Sequence, residues 1–293
     1  MLNTETPSRQ HPDLDLYPIE ELVDAFIDDQ GQAASAVRAA SREIAAAVSA
    51  AVPRIAAGGR IIYVGAGTSG RLGLLDSVEL YPTFSWPHER AVALLAGGAA
   101  AMYEAVEGAE DDDDQGAADI LALGVRSLDV VFLLAASGVT PYVMGALRAA
   151  RASGALTVGL CNNPQAPIAL AAEIGITLDT GREVIAGSTR LKAGTAQKIA
   201  LNTLSSAIMV RLHKVYGNLM VDLKPTNAKL IRRAIKLITL VTGTDEETAR
   251  MILEASGFQV KVAIVAISRQ LSLDEAQARL AGVSGSVRRA IAE

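Results

Sequence analysis

The sequence predicts an α/β protein: a parallel five-stranded sheet flanked by helices, followed by a C-terminal helical bundle. Three observations lead there. Five short apolar runs, Arg60 to Val64, Ala91 to Leu95, Val130 to Ala135, Ala155 to Leu160 and Gly175 to Leu178, alternate with helical stretches. Continuous apolar strands of this kind belong to a parallel sheet covered on both faces. Half of the 293 residues are hydrophobic but only 4% are aromatic, so small and aliphatic side chains make the core, as close packing of helices on a sheet requires. From Thr244 the pattern changes to short amphipathic segments with Gly- or Ser-bearing joints, which suits a small bundle with its own core.

Ahead of the first strand, Ile19 to Pro53 reads as helical. Leu22, Val23, Phe26, Val37, Ile44 and Val48 fall at helix-like intervals, Asp29-Gln30-Gly31 predicts a break into two segments, and Gly58-Gly59 ends the pattern. After the strands, Arg190 to His213 predicts one long helix and Lys229 to Leu240 another. Helices then follow over Asp245 to Ser256, Gln259 to Ser268 and Leu273 to Leu280, with a terminal one near Ser286 to Ile291. The chain so divides into an N-terminal helical segment (1–57), a ligand-binding α/β domain (58–240) and a small helical bundle (241–293). Loops at the carboxyl ends of the strands are where such a sheet binds its ligand.

A net charge of −5 gives the chain no electrostatic reason to seek nucleic acid or anionic lipid. The single cysteine, Cys161, excludes an intramolecular disulfide and a cysteine zinc cluster, so a reducing cytoplasm is expected. Met1 to Asp15 is polar and acidic where a signal peptide is basic then apolar, and no apolar run is expected to span a membrane. His11, His88 and His213 stand in no metal-ligand spacing, so no metal is expected.

Gly65-Ala66-Gly67-Thr68-Ser69-Gly70 follows a strand and opens a helix, which points backbone N–H groups at an anion. The glycine spacing invites a dinucleotide, but that reading needs an acid at the end of the next strand, which instead closes Leu95-Ala96-Gly97-Gly98. No nicotinamide or other cofactor is expected. Thr68, Ser69 and Gly70 favour a phosphate ester over a purely conformational turn. Ser137, Gly138 and Thr140 lie at a second strand-to-helix junction, which alone reads as an N-cap followed by Pro141. Ser188, Thr189 and Lys192 precede the long helix and form a third. Together the three loops could wrap one phosphate with neutral donors, helix dipoles and a cation.

Two carboxylates stand out. Glu79, in Asp76-Ser77-Val78-Glu79-Leu80-Tyr81-Pro82, is placed at a helix end in a partly apolar corner, which suits a general acid, although a solvated helix-end glutamate reads the same. Glu107 and Glu110 precede Asp111 to Asp114, an acidic run expected to be an exposed loop and helix cap in which one glutamate serves the chemistry. Cys161, in an apolar run, reads as a buried small residue.

Four stretches now carry a resemblance. Residues 65–73 with Glu79 and Pro82-Thr83, then Ala105-Val106-Glu107-Gly108-Ala109-Glu110-Asp111, and Gly187 to Lys198 with Lys214-Val215-Tyr216-Gly217-Asn218-Leu219-Met220-Val221-Asp222, are similar to the N-acetylmuramic acid 6-phosphate etherase family. The likeness runs from about residue 20 to the C-terminus; Thr4-Glu5-Thr6-Pro7 follows the family pattern loosely. It implies a sugar isomerase type of fold, a homodimer, a sugar-phosphate substrate, Glu79 as the acid, Glu110 as the second active-site glutamate, and the hydroxyl loops as the phosphate site. Two rival readings are a non-catalytic sugar-phosphate sensor similar to the glucokinase regulatory protein and an aldose-ketose isomerase.

Overall fold

A computed structural model describes residues 2–225 and 227–292. Its contacts group the chain into two compact units, one of Met1–Val78 with His88–Ser205 and the other of Glu79–Pro87 with Ser206–Glu293.

The first unit opens with helices α1 (Ile19–Ala39) and α2 (Ser41–Ala56). The expected break at Asp29-Gln30-Gly31 is not there: α1 runs through it and ends at Ala40, which leaves helical geometry at φ −85°, ψ 14°. Two features hold the helix together at that point. Asp29 is buried and pairs with Lys192, while Gly31 is exposed with nothing near its missing Cβ, so its cost is a propensity penalty of only about 1 kcal/mol.

Strands β1 (Ile61–Gly65), β2 (Ala91–Leu95), β3 (Val130–Leu134), β4 (Leu156–Cys161) and β5 (Ile174–Thr177) form one parallel sheet in the order β2-β1-β3-β4-β5. Every residue of β1, β3 and β4 is buried, as continuous apolar runs predict, whereas edge strand β2 is mostly half-buried. Between the strands lie α3 (Gly67–Phe84), α4 (Asp113–Ala122), α5 (Pro141–Ala152) and α6 (Pro167–Ala171), and α7 (Lys192–Arg211) follows β5. One face of the sheet, with Ile62, Val64, Val131 and Leu133, packs on Ile120 of α4 and on Tyr142, Val143, Ala146 and Leu147 of α5.

At the amino ends of the central strands, Arg60 Nη2 lies 2.6 Å from Asp129 Oδ2. Asp129 also accepts the backbone N–H groups of Arg60 and Arg126, both at 2.9 Å. This latch ties β1 to β3 at the end of the sheet opposite the loops that follow the strands.

The second unit contains α8 (Ala228–Thr242), α9 (Glu246–Ala255), α10 (Val260–Arg269), α11 (Leu273–Gly282) and α12 (Val287–Ala292). Most of α10 is buried, against Ile235 and Ile238 of α8, Leu253 of α9 and Leu280 of α11. Side chains cap three of these helices: Asn227 accepts from Leu230 N, Asp245 from Thr248 N, and Ser272 with Glu275 forms a capping box. Among the described residues, no single helix is long and apolar enough to cross a membrane.

Candidate active site

From β1 and β3, side by side in the sheet, the chain leaves in opposite directions, so their carboxyl ends flank a topological switch point. Two of the hydroxyl loops start there, residues 65–70 after β1 and 135–140 after β3. Helix α3 begins at Gly67, which places Thr68, Ser69 and Gly70 in its first turn; the Gly70 N–H is already taken by Ala66 O at 3.1 Å. Gly70 has to be glycine: a Cβ there would stand 2.6 Å from Gly65 O and 2.3 Å from Leu95 Cδ1. Ser69 is buried and Thr68 half-buried.

The loop after β3 is not the ordinary side-chain cap that sequence alone allows. Thr140 precedes α5 and Pro141 is its first residue, but the Thr140 hydroxyl makes no capping bond. Gly138 N instead turns back to Ala135 O at 3.0 Å, and Ser137 Oγ accepts from Val139 N at 3.3 Å. Among the described residues, the hydroxyls of Thr68, Ser69, Thr140, Ser188 and Thr189 take no hydrogen-bond partner, which leaves them available to a ligand.

Lys192 differs from its expected part. Its side chain is 2% exposed, and its Nζ donates to Asp29 Oδ1 at 2.7 Å, Arg182 O at 2.8 Å and Gln32 Oε1 at 3.2 Å. The ammonium is committed to Asp29 and Gln32 of α1 and to the Arg182 carbonyl, not offered to a ligand. The start of α7 is likewise occupied, because Glu183 accepts from Lys192 N at 3.1 Å and Ala193 N at 2.8 Å. Burial pushes the Glu183 carboxyl above its usual range despite those donors. The loop before α7 therefore presents the partnerless hydroxyls of Ser188 and Thr189, while the first backbone N–H groups of α7 are taken by Glu183.

Side chains that the sequence reading passed over join the loops. Asn162 Nδ2 donates to Leu178 O and Ala193 O, and its Oδ1 accepts from Gln197 Nε2 at 2.9 Å. Asn163 Nδ2 donates to Ala136 O at 2.9 Å. On the other side, the Thr68 methyl lies 3.3 Å from the Cβ position of Gly194, whose N–H is bound to Thr189 O at 2.9 Å. The three loops are thus neighbours around the end of β4 and the start of α7.

A cavity of about 230 Å³ adjoins the first loop, lined by Gly67, Arg71, Glu104, Glu107 and Glu110 among others. Glu110 sits in a 3-10 turn, Ala109–Asp111, and is exposed. The acidic run behind it is structural in part: Asp112 caps α4 by accepting from Gln115 N, and Asp113 pairs with Arg148. Arg71, which lies in the resembling stretch 65–73 but is given no role there, donates its Nε to Ala101 O at 3.0 Å, which sets a guanidinium in the cavity wall one turn beyond the glycine loop. Cys161 is buried, and burial raises its thiol pKa, as suits a packing residue.

Glu79 is not in an apolar corner. Helix α3 continues through Pro82 to Phe84, and Glu79 is exposed on its last turns while Leu80 turns inward. Proline in a final turn removes one hydrogen bond and does not end the helix. Asp76, one turn earlier, is fixed by Tyr63, Asn202 and Ser205.

This sheet order, with hydroxyl loops at the carboxyl ends of β1 and β3, defines a sugar isomerase (SIS) domain protein. Two family models agree: the glucokinase regulatory protein N-terminal SIS domain matches residues 43–151 and the SIS domain matches residues 105–207. A solved Bacteroides fragilis protein described as a phosphosugar isomerase shares the fold, with TM-score 0.50 and 19% identity over 66% of this chain and 91% of that one. The particular family is narrower. The chain is 55% identical to the N-acetylmuramic acid 6-phosphate etherase of Deinococcus radiodurans, across 99% of this chain and 95% of that relative. It is 48% identical to the etherase of Salmonella enteritidis, across 99% and 98%. The chain belongs to the N-acetylmuramic acid 6-phosphate etherase family.

Proposed function

We propose that the protein is a carbon–oxygen lyase that cleaves the lactyl ether of N-acetylmuramic acid 6-phosphate, giving N-acetylglucosamine 6-phosphate and D-lactate. Family membership supports the reaction, and one observation carries the assignment of the site: Gly67, the first residue of α3, and Glu110 line the same cavity. The partnerless hydroxyls of Thr68, Ser69, Thr140, Ser188 and Thr189, with Ser137, Gly138 and Gly70 shaping their loops, hold the phosphate as neutral donors.

Direct displacement of lactate at C3 would be slow. With the sugar ring open, the C1 aldehyde acidifies the proton on C2. Glu110 takes that proton, the electrons pass into an enolate, and the C3–oxygen bond breaks as Glu79 protonates the departing ether oxygen, which becomes the hydroxyl of lactate. Water then adds at C3 of the unsaturated aldehyde. Glu79 takes the proton from that water, and C2 is protonated again by Glu110.

A homodimer in the cytoplasm fits this reading. Ile19, Val23 and Ile27 make an exposed apolar stripe along α1, which supports a second copy as partner. The match to the glucokinase regulatory protein domain model supports a second reading, a sugar-phosphate sensor, which needs neither glutamate. Incubation of the purified protein with N-acetylmuramic acid 6-phosphate, following D-lactate, separates the two: steady release marks the lyase, and folded protein that binds the sugar without release marks the sensor.

A further inference from the structure

Residues Asn3–Glu5 form a 3-10 turn tied to the carboxyl edge of the sheet. Thr4 is fully buried. Its N–H donates to Asn163 Oδ1 at 3.3 Å, its carbonyl accepts from Gly187 N at 2.8 Å, and its Oγ1 accepts from Asn163 Nδ2 at 3.1 Å. Asn163 is the residue that also holds Ala136 O, just before Ser137. One threonine near the start of the chain therefore links the second hydroxyl loop to the third.

That anchor fixes the residue next to it. The Glu5 N–H donates to Leu2 O at 3.1 Å, and the Glu5 carboxylate lies against Gly187, with Oε2 2.9 Å from the Cβ position of that glycine. Gly187 has φ +79°, where a side chain would be strained in any case, so the carboxylate occupies room that only glycine leaves open. Glu5 is exposed, and among the described residues it has no side-chain hydrogen bond or ion pair. A partnerless carboxylate on a buried anchor, beside a ligand loop, is an acceptor already in place.

We infer that the Asn3–Glu5 turn is part of the substrate site, with Thr4 positioning the loop 187–189 and Glu5 accepting hydrogen bonds from hydroxyl groups of the bound sugar phosphate. Charge decides which part of the ligand Glu5 meets. Two anions repel at short range, so the carboxylate serves the sugar while Ser188 and Thr189 serve the phosphate. Glu5 is thereby a specificity-determining residue that selects a hydroxylated phosphate ester over bare phosphate. This rests on residues 187–189 being a phosphate loop.

The test uses binding and not lactate release, so it stands apart from the fate of the reaction. Stabilisation of the full chain against heat is titrated with N-acetylglucosamine 6-phosphate and with inorganic phosphate, for the wild type, Glu5→Gln, Thr4→Val and Thr4→Ser. Glu5→Gln should weaken the sugar phosphate about tenfold and leave inorganic phosphate unchanged. Thr4→Val should weaken both, and Thr4→Ser, which keeps the hydroxyl, should restore both. Unchanged sugar-phosphate binding in Glu5→Gln overturns the inference, as does an equal loss for both ligands. If Thr4→Val does not fold, the Glu5→Gln titration still decides. A wild type that binds the sugar phosphate but never inorganic phosphate removes the phosphate-loop reading, and a selective loss in Glu5→Gln would then still support the contact with the sugar.

Discussion

Tyr63 donates its phenolic hydrogen to Asp76 Oδ2 across 2.6 Å, with the tyrosine 1% and the aspartate 4% exposed. Burial first, and the negative charge of Asp76 second, raise the phenol well above its ordinary pKa, so Tyr63 stays a donor at any physiological pH. Asn202 and Ser205 of α7 supply the remaining side-chain donors to the same carboxylate. Among the described residues no cation pairs with Asp76, so these donors are what satisfies the buried carboxyl group. The network pins β1, α3 and α7 together one turn before Glu79.

Tyr63→Phe removes one donor from that buried carboxylate and adds nothing. It should cost about 1–3 kcal/mol, read as a lower urea midpoint. If the network aims the end of α3, kcat should fall more than KM rises; a stability loss with unchanged kcat would leave Asp76 a purely structural anchor.

Glu79→Gln keeps the shape of the side chain but cannot deliver a proton. Ether cleavage should fall by about 10²-fold or more, while exchange of the C2 hydrogen with solvent continues through Glu110. Mass spectrometry of substrate recovered from deuterated buffer reads the exchange. If exchange and cleavage vanish together, Glu79 is the base or holds the substrate, and its role as the acid is withdrawn.

Much of this could be read from the chain because the signals are local. Val130 to Leu134 is a strand in any context that buries both of its faces, and the glycines and hydroxyls of residues 65–70 announce a tight turn into a helix. What failed depended on distant residues. A lysine beside Ser188 and Thr189 reads as an anion ligand, yet Lys192 answers to Asp29, 163 positions away. The same pair explains why α1 does not break at Gly31. Asn163 and Thr4 carry no local signal at all; their meaning arises only when the end of β4 meets the Asn3–Glu5 turn. Arg71 was in view in the resemblance, but only the cavity wall gives it a place.

The Arg60–Asp129 latch should shape the response to acid. Burial works against the charged form of Asp129, but hydrogen bonds from Arg60 and from the backbone of Arg126 and Arg60 outweigh it and hold the carboxyl below its usual value. A carboxyl whose folded pKa is depressed contributes stability above its unfolded pKa, about 3.9, and loses it as pH falls through the folded value. Asp129→Asn should therefore cost on the order of 3 kcal/mol at pH 7 and flatten the loss of stability on acidification below about pH 4. Urea melts at several pH values give both readings, and parallel wild-type and variant curves across that range would show that the latch does not titrate.

Ser69 and Ser188 stand on different loops, and among the described residues neither hydroxyl has a partner. If both face one phosphate, changing either to Ala removes one neutral hydrogen bond to a dianion, worth on the order of 1.5–3 kcal/mol because one partner is charged. Binding should weaken about tenfold to a hundredfold. Folding should be nearly untouched, since no internal bond is lost. The decisive comparison sets the 6-phosphate substrate against the same sugar without phosphate. Each variant should erode the preference for the phosphorylated form and leave the poor activity on the plain sugar where it was. Equal losses on both substrates would mean that these serines act on the sugar or on the glutamates, and the phosphate would then have to be sought elsewhere, with the Arg71 guanidinium in the cavity beside Glu110 as the next group to change.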